Sequence, residues 1–139
     1  MAAGAGFSVD GADALIARLM RGAAQTTPLM AAVVEKSATD LVALTQQNAS
    51  GRPGPNAPTG DYRGSWRVSG TGSTGDTVAR AAGTDRAQAR RLEYGFVGAD
   101  SLGRHYDQAP LPHHGPARDV IDPIFRAAMR KVAEAAVRP

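Results

Sequence analysis

The fold is decided by the stretch PTGDYRGSWRVS, residues 58–69, where helical patterning gives way to strand-like patterning. Trp66 and Val68 point to one face of the expected strand, and the polar residues beside them point to the other. A connector with three prolines, residues 51–58, precedes this stretch and cannot continue a helix. The stretch therefore separates a helical N-terminal part from a β-rich centre.

On the N-terminal side, the spacing of apolar residues predicts two helices. Asp10 or Asp13 is expected to begin a short helix that ends at Gly22. Thr27 as N-cap and Pro28 at the first helical position predict the start of a second, longer helix. Its apolar stripe consists of Leu29, Met30, Val33, Val34, Leu41 and Leu44.

On the C-terminal side, the pattern predicts short strands. A glycine-rich turn at 70–75 leads to a return strand at 76–82, and residues 85–91 are expected to form a short helical turn. Further strands are expected at 92–97 and 103–108.

A C-terminal helix follows the proline-rich bend at 111–116 and is expected to run to about Val137. It begins near Ala117, or at Asp122 as N-cap with Pro123 at the first helical position, which is the cleaner local pattern. The alternative is a helix that starts at Pro116 and is kinked at Pro123.

The order of these elements indicates an α+β fold, in which a small antiparallel β-sheet packs against a long helix of the N-terminal half and a C-terminal helix. The length of 139 residues predicts one domain. Its expected parts are a flexible arm (1–9), a helical part (10–50), an extended loop (51–61), the β-sheet (62–109) and the bend with the last helix (110–139).

Composition excludes several classes of protein. The chain has no cysteine, which removes disulfides, thiol catalysis and cysteine-containing zinc sites. A net charge of +3 is too small to indicate nucleic-acid binding. No run approaches the roughly 18 apolar residues that span a bilayer, and no secretory leader is expected. We therefore expect a protein made in the cytoplasm that contacts no membrane.

The sequence offers no catalytic constellation, and we expect a protein that is not an enzyme and uses no cofactor and no metal. His113 and His114 are adjacent, so their side chains diverge, and we expect a solvent-facing polar bend instead of a zinc site. Ser65 does not lie in the glycine-flanked elbow of hydrolases. Solvated carboxylates that pair with nearby arginines are expected at Glu93, Asp100, Asp107 and Asp119.

Two short motifs and their order carry a family resemblance. They are Thr59-Gly60 followed by Arg63-Gly64-Ser65, and Leu92-Glu93-Tyr94-Gly95-Phe96, placed between the helices described above. Over roughly residues 27–137 the chain resembles the gene-product-ten-like family of tailed-phage morphogenesis proteins. It departs from the family at Tyr62, where a leucine is usual, and at 111–114, where an Arg-Pro-Phe-like bend is usual.

The resemblance implies a structural virion protein of a long-tailed bacteriophage that acts at the head–tail junction, or neck. The subunit would form a cyclic homo-oligomer with six-fold symmetry and would contact other neck proteins, on the adaptor or portal side and on the tail-terminator or tail-tube side. DNA would only pass through the lumen. A tail-terminator ring protein is the alternative within the same junction, and a small nucleic-acid-binding regulator is the alternative from another class.

Aromatic and arginine side chains are enriched at the energetic centres of protein interfaces, which gives candidates for the contacts between subunits. These candidates are Tyr62, Arg63, Trp66, Arg67, Tyr94 and Phe96. Trp66 equally fits the core of the sheet. A lumen that carries DNA favours arginine, and the candidates to line it are Arg80, Arg86, Arg90 and Arg91.

Overall fold

A computed structural model describes residues 12–70 and 77–138 of the chain. The predicted arm at 1–9 and nearly all of the predicted turn at 70–75 lie outside these residues. The helices are α1 (Ala12–Asn48), α2 (Asp61–Gly64), α3 (Ala89–Tyr94) and α4 (His114–Val137), and the strands are β1 (Arg67–Ser69), β2 (Ala81–Gly83), β3 (Phe96–Ala99) and β4 (His105–Gln108).

Helix α1 is continuous for 37 residues, so the predicted break between Gly22 and Thr27 is wrong. Pro28 lies inside the helix, although it supplies no N–H for the helical ladder. Gly22 does not end a helix; it lies within α1, directly against the backbone of α4. A Cβ atom added at Gly22 would overlap the backbone carbonyl of Ala136. Packing against α4 therefore outweighs the local helix-breaking signals.

Helices α1 and α4 pack antiparallel to each other. Gly22 lies near the end of α4, whereas the Asn48 side-chain amide at the end of α1 donates to the His113 carbonyl before α4, at 3.0 Å. Helix α4 begins at His114, earlier than the predicted starts at Ala117 or Asp122, and Pro123 lies inside it. The predicted helix from Pro116 comes closest to the observed one.

The β-structure consists, within the described ranges, of two separate antiparallel ribbons rather than one sheet. In the β1–β2 ribbon, Val68 pairs with Ala82, and this ribbon packs on α1. In the second ribbon, which we call the β3–β4 hairpin, Phe96 pairs with Gln108 and Ala99 with His105. The predicted α+β architecture is thus confirmed, with most of its residues in helices.

The segments after β1 differ from their predictions in their boundaries. The return strand expected at 76–82 is observed as β2, Ala81–Gly83, and the helical turn expected at 85–91 as α3, Ala89–Tyr94. Residues 92–94 belong to helix α3, so the strand expected to begin at Leu92 begins only at Phe96. Gly95 separates the two elements with a left-handed φ of 77°, and a Cβ atom there would lie 2.6 Å from the Gln108 carbonyl oxygen. Glycine therefore allows the abrupt change from helix to strand.

Few large apolar side chains are fully enclosed. The buried apolar residues among those described are Ala38, Ala49, Trp66, Ala117 and Val132. No helix in the described ranges has an apolar stretch long enough to cross a membrane.

Candidate functional site

A single carboxylate caps the last helix. Glu93, in α3, accepts hydrogen bonds from the backbone N–H groups of His113 and His114, each at 3.0 Å, and of Gly115, at 2.8 Å. Pro116 follows and has no N–H. Since the first N–H groups of a helix have no partners within the helix, one carboxylate and one proline satisfy the start of α4.

Space for this cap depends on a glycine. A Cβ atom at Gly115 would lie 2.9 Å from Glu93 Oε1, so a side chain there would push the carboxylate away. Burial opposes ionisation of Glu93, but the three backbone donors and the nearby His113 outweigh it and hold the pKa of Glu93 below its ordinary value. The cap is therefore charged over the neutral pH range.

His113, just before α4, is fully enclosed, with 0% of its surface exposed. Its Nδ1 lies 2.8 Å from the Leu111 carbonyl oxygen and 3.0 Å from Glu93 Oε2. Both neighbours are acceptors, so Nδ1 carries the proton in the neutral ring. Nε2 then accepts the hydrogen bond of the Tyr62 hydroxyl at 2.7 Å. The prediction of a solvent-facing bend is wrong for His113.

His114 is held by Trp66 and α1. Its ring stacks on the indole of Trp66, with ring centres 4.8 Å apart and an angle of 18° between the planes. Its Nδ1 lies 3.1 Å from the Thr45 hydroxyl oxygen. Because that hydroxyl donates to the Leu41 carbonyl at 2.7 Å, His114 Nδ1 is the donor of this pair. Burial lowers the pKa of His114.

Together, Tyr62, Trp66, Glu93, His113 and His114 form what we call the His113 cluster. The Tyr62 and Trp66 rings meet edge to face with centres 6.4 Å apart, and Trp66 meets His113 at 5.7 Å. The cluster joins α1, α2, α3 and α4. Both ring nitrogens of His113 are occupied by partners within the chain, so this histidine has neither a free donor nor a free acceptor for a substrate. The arrangement fits a structural clamp.

The predicted interface residues divide into an inner and an outer group. Trp66 is 8% exposed and Tyr62 is half-buried, both in the His113 cluster. Phe96 is half-buried beneath the Arg91 guanidinium, whose central carbon lies 4.1 Å from the ring centre. Tyr94, in contrast, is 74% exposed.

The two arginines among these candidates lie on the surface. Arg63 donates to the Ser50 hydroxyl at 3.1 Å, and Arg67 pairs with Asp85 at 3.3 Å. Their contact with neighbouring subunits stays a prediction, as does that of the inner group.

The candidate lumen residues are also in different situations. Arg80 forms an ion pair with Glu35 at 2.7 Å, and Arg91 stacks over Phe96. Arg86 and Arg90 are exposed, and neither takes part in an ion pair among the described residues.

Of the carboxylates expected to pair with nearby arginines, Asp100 does so, with Arg104 at 2.6 Å. Glu93 does not, because it caps α4. No group of three or more histidine, aspartate or glutamate side chains in the described ranges is arranged to hold a metal ion. Sequence reasoning missed the cap. Its only local signal is Gly115-Pro116, a small residue and a residue without an N–H in the first turn of a helix.

Comparison of the chain with protein-family models, with curated proteins and with solved structures found no match.

Acidification is expected to destabilise the protein through His114. The folded state holds the pKa of His114 below its ordinary value of 6.5, because burial, with smaller effects of His113 and Arg118, outweighs the Glu93 carboxylate, which favours the charged ring. The unfolded chain therefore binds more protons, and the free energy of unfolding should decrease as the pH falls below about 6.5. Urea unfolding at a series of pH values measures this.

His114→Gln is the matched control, since glutamine can still donate to Thr45 but does not titrate. Its stability should vary less between neutral pH and pH 5. Equal slopes for the two proteins in that interval would contradict this assignment. Protonation of Glu93 acts only lower, below its ordinary value of 4.5.

Proposed function

We propose that this chain is a structural, non-enzymatic subunit of a phage neck, where it forms a cyclic homo-oligomer with six-fold symmetry between the DNA-filled head and the long tail. The observation that carries the proposal is the distribution of apolar surface. Three of the five buried apolar residues are alanines, whereas large apolar side chains on several elements are exposed. A chain that leaves such surface uncovered is expected to bury it against other chains.

One exposed apolar surface lies at the start of α1. Leu15, Ile16, Leu19 and Met20 there are 46–68% exposed. Leu19 and Met20 lie one helical turn after Leu15 and Ile16 on the same side of the helix, so the four side chains form a patch and not scattered single residues.

A second exposed apolar surface surrounds the β3–β4 hairpin. Tyr94 precedes the hairpin, Val97 lies in β3 and Leu102 lies in its turn, and each is 74–79% exposed. An isolated two-stranded hairpin is at best marginally stable in water. Contact with a neighbouring chain would stabilise the hairpin and cover Tyr94.

Two different apolar surfaces on one subunit suit a ring. A ring is built by head-to-tail contacts, in which one surface of each subunit meets a different surface of the next. The motif order described above supplies the assignment to the neck. Arg86 and Arg90, exposed and without ion pairs among the described residues, are the better candidates to face DNA in the lumen.

The oligomeric state tests the proposal. Light scattering after size exclusion should give a mass near six times the 14.4 kDa of the chain, and negative-stain electron microscopy should show rings. Tyr94→Ser should shift the protein towards lower mass without loss of helical circular dichroism, because Tyr94 is exposed in the subunit. A monomer that binds DNA oligonucleotides tightly at moderate salt would instead identify a nucleic-acid-binding regulator.

A further inference from the structure

The N-terminal part of α1 extends past the end of α4. Since Gly22 lies against Ala136, in the last turn of α4, the ten residues from 12 to 21 continue beyond that helix. At 1.5 Å per residue they project by about 15 Å. We call residues 12–21 the overhang.

The apolar face of the overhang continues an interface that already exists. Gly22 and Thr26 are half-buried on the side of α1 that faces α4. Leu15 and Leu19 precede them. The spacings along 15, 19, 22 and 26 are four, three and four residues, which keeps all four positions on one side of the helix. The side of α1 that packs on α4 therefore continues towards the N-terminus for two further turns, beyond the end of α4, where it carries exposed leucines.

Such a segment requires a partner. The overhang continues helix α1, and contiguous exposed apolar surface of this kind marks an interaction site. Among the described residues, no strand or helix covers Leu15, Ile16, Leu19 or Met20, which remain 46–68% exposed.

The same chain has an apolar groove elsewhere on its surface. The groove lies between α1, the segment before and within β2, and α4, and it has a volume of about 290 Å³. Its apolar walls are formed by Val34, Ala38, Leu41, Val78, Ile121 and Phe125. It is thus a gap at the α1–α4 interface, wide enough to admit side chains from outside.

Three charged residues line this groove. Arg80 pairs with Glu35 at 2.7 Å and Asp122 with Arg126 at 2.9 Å, whereas Arg118 is exposed and forms no ion pair among the described residues. The walls between them are apolar. The groove therefore suits the apolar face of an amphipathic helix.

We propose that the overhang of one copy docks into this groove of a second copy. The contact buries the leucine face of the overhang against the α1–α4 interface of the neighbour. Within its own chain, α4 covers this side of α1 only as far as Gly22, and the neighbour covers the rest. Because the two surfaces differ, the contact is head-to-tail and repeats from subunit to subunit. This inference rests on the proposed ring and names one pair of surfaces that join its subunits, to which the exposed surface of the β3–β4 hairpin does not belong.

Engineered cysteines give a direct test, because the chain has none of its own. The variant combines Met20→Cys, in the overhang, with Ser37→Cys, in the groove. Both positions lie in α1, 17 residues or about 25 Å apart. A disulfide requires Cα atoms within roughly 7 Å, so any disulfide between these two positions must join two copies.

The matched control replaces Ser37→Cys by Thr39→Cys. Thr39 is exposed, lies in the same helix and does not line the groove. After mild oxidation, the Met20/Ser37 variant should give a ladder of dimers, trimers and larger species on a non-reducing gel. Its cross-linked fraction should exceed that of the Met20/Thr39 variant several-fold. Circular dichroism and light scattering before oxidation establish that both variants fold and assemble as the unmodified chain does.

The outcomes separate the two proposals. If rings form without the ladder, the docking contact is overturned and the ring is retained. The same holds if only dimers are cross-linked and they also form with Met20→Cys alone. A monomeric protein without cross-links would overturn both. A ladder specific to the Ser37 position supports both.

Discussion

Replacement of Glu93 by alanine is expected to lower the free energy of unfolding by about 2–4 kcal/mol. The variant removes the acceptor of three backbone N–H groups at the start of α4. It also removes the carboxylate that lies 3.0 Å from His113 Nδ1. Loss of a helix cap alone destabilises by about 1 kcal/mol, and each buried polar group left unsatisfied adds about 1–3 kcal/mol. Urea unfolding followed by tryptophan fluorescence measures the loss and reports on Trp66, which lies in the same cluster.

Asp119→Ala provides the comparison, because it removes an exposed carboxylate from α4 that caps nothing. It should change stability by less than about 0.5 kcal/mol. Similar losses for the two variants would show that Glu93 acts as a general surface charge and not as the cap of α4.

The second large effect is expected at Trp66. Trp66→Ala removes the indole that stacks on His114 and meets Tyr62 and His113 edge to face. Truncation of a buried aromatic side chain destabilises by about 3–5 kcal/mol, because it removes buried apolar area and leaves a cavity. Chemical unfolding followed by far-UV circular dichroism measures this, since the variant has no tryptophan.

Trp66→Phe keeps a ring in the cluster and should retain most of the stability. Tyr62→Phe removes only the hydroxyl, so it measures the contribution of the hydrogen bond to His113 Nε2. That bond contributes about 1 kcal/mol. If Trp66→Ala abolished assembly but left the monomer as stable as before, Trp66 would be an interface residue and not part of the core.

Much of the fold follows from local patterns. The apolar stripe in α1, the hairpin alternation around Val68 and the strand before Gln108 were each predictable, because helical and strand periodicities differ. The class α+β follows from their order. The predicted ends of the helices were wrong. Gly22 and Pro28 are local breakers, but the sequence does not reveal that α4 lies against Gly22 and that α1 continues through both positions.

The His113 cluster illustrates a different limit. Tyr62 and Trp66 could be recognised as important, but not as inner residues, because an aromatic side chain suits a core and an interface equally well. Glu93 and His113 are 20 residues apart, and no periodicity connects them. The pairing depends on the chain folding back through the hairpin, which only the three-dimensional arrangement shows.

The cap of α4 also has a topological consequence. Glu93 meets the His113 backbone, and the Leu111 N–H donates to the Leu92 carbonyl at 2.7 Å, so the segment between them is a closed loop pinned at its base. The free energy of closing a flexible loop changes by only about 0.6 kcal/mol for each doubling of its length. The β3–β4 hairpin within this loop is therefore a module in which residues can be inserted or deleted with little effect on the helices, so its length can change while the helical body stays the same.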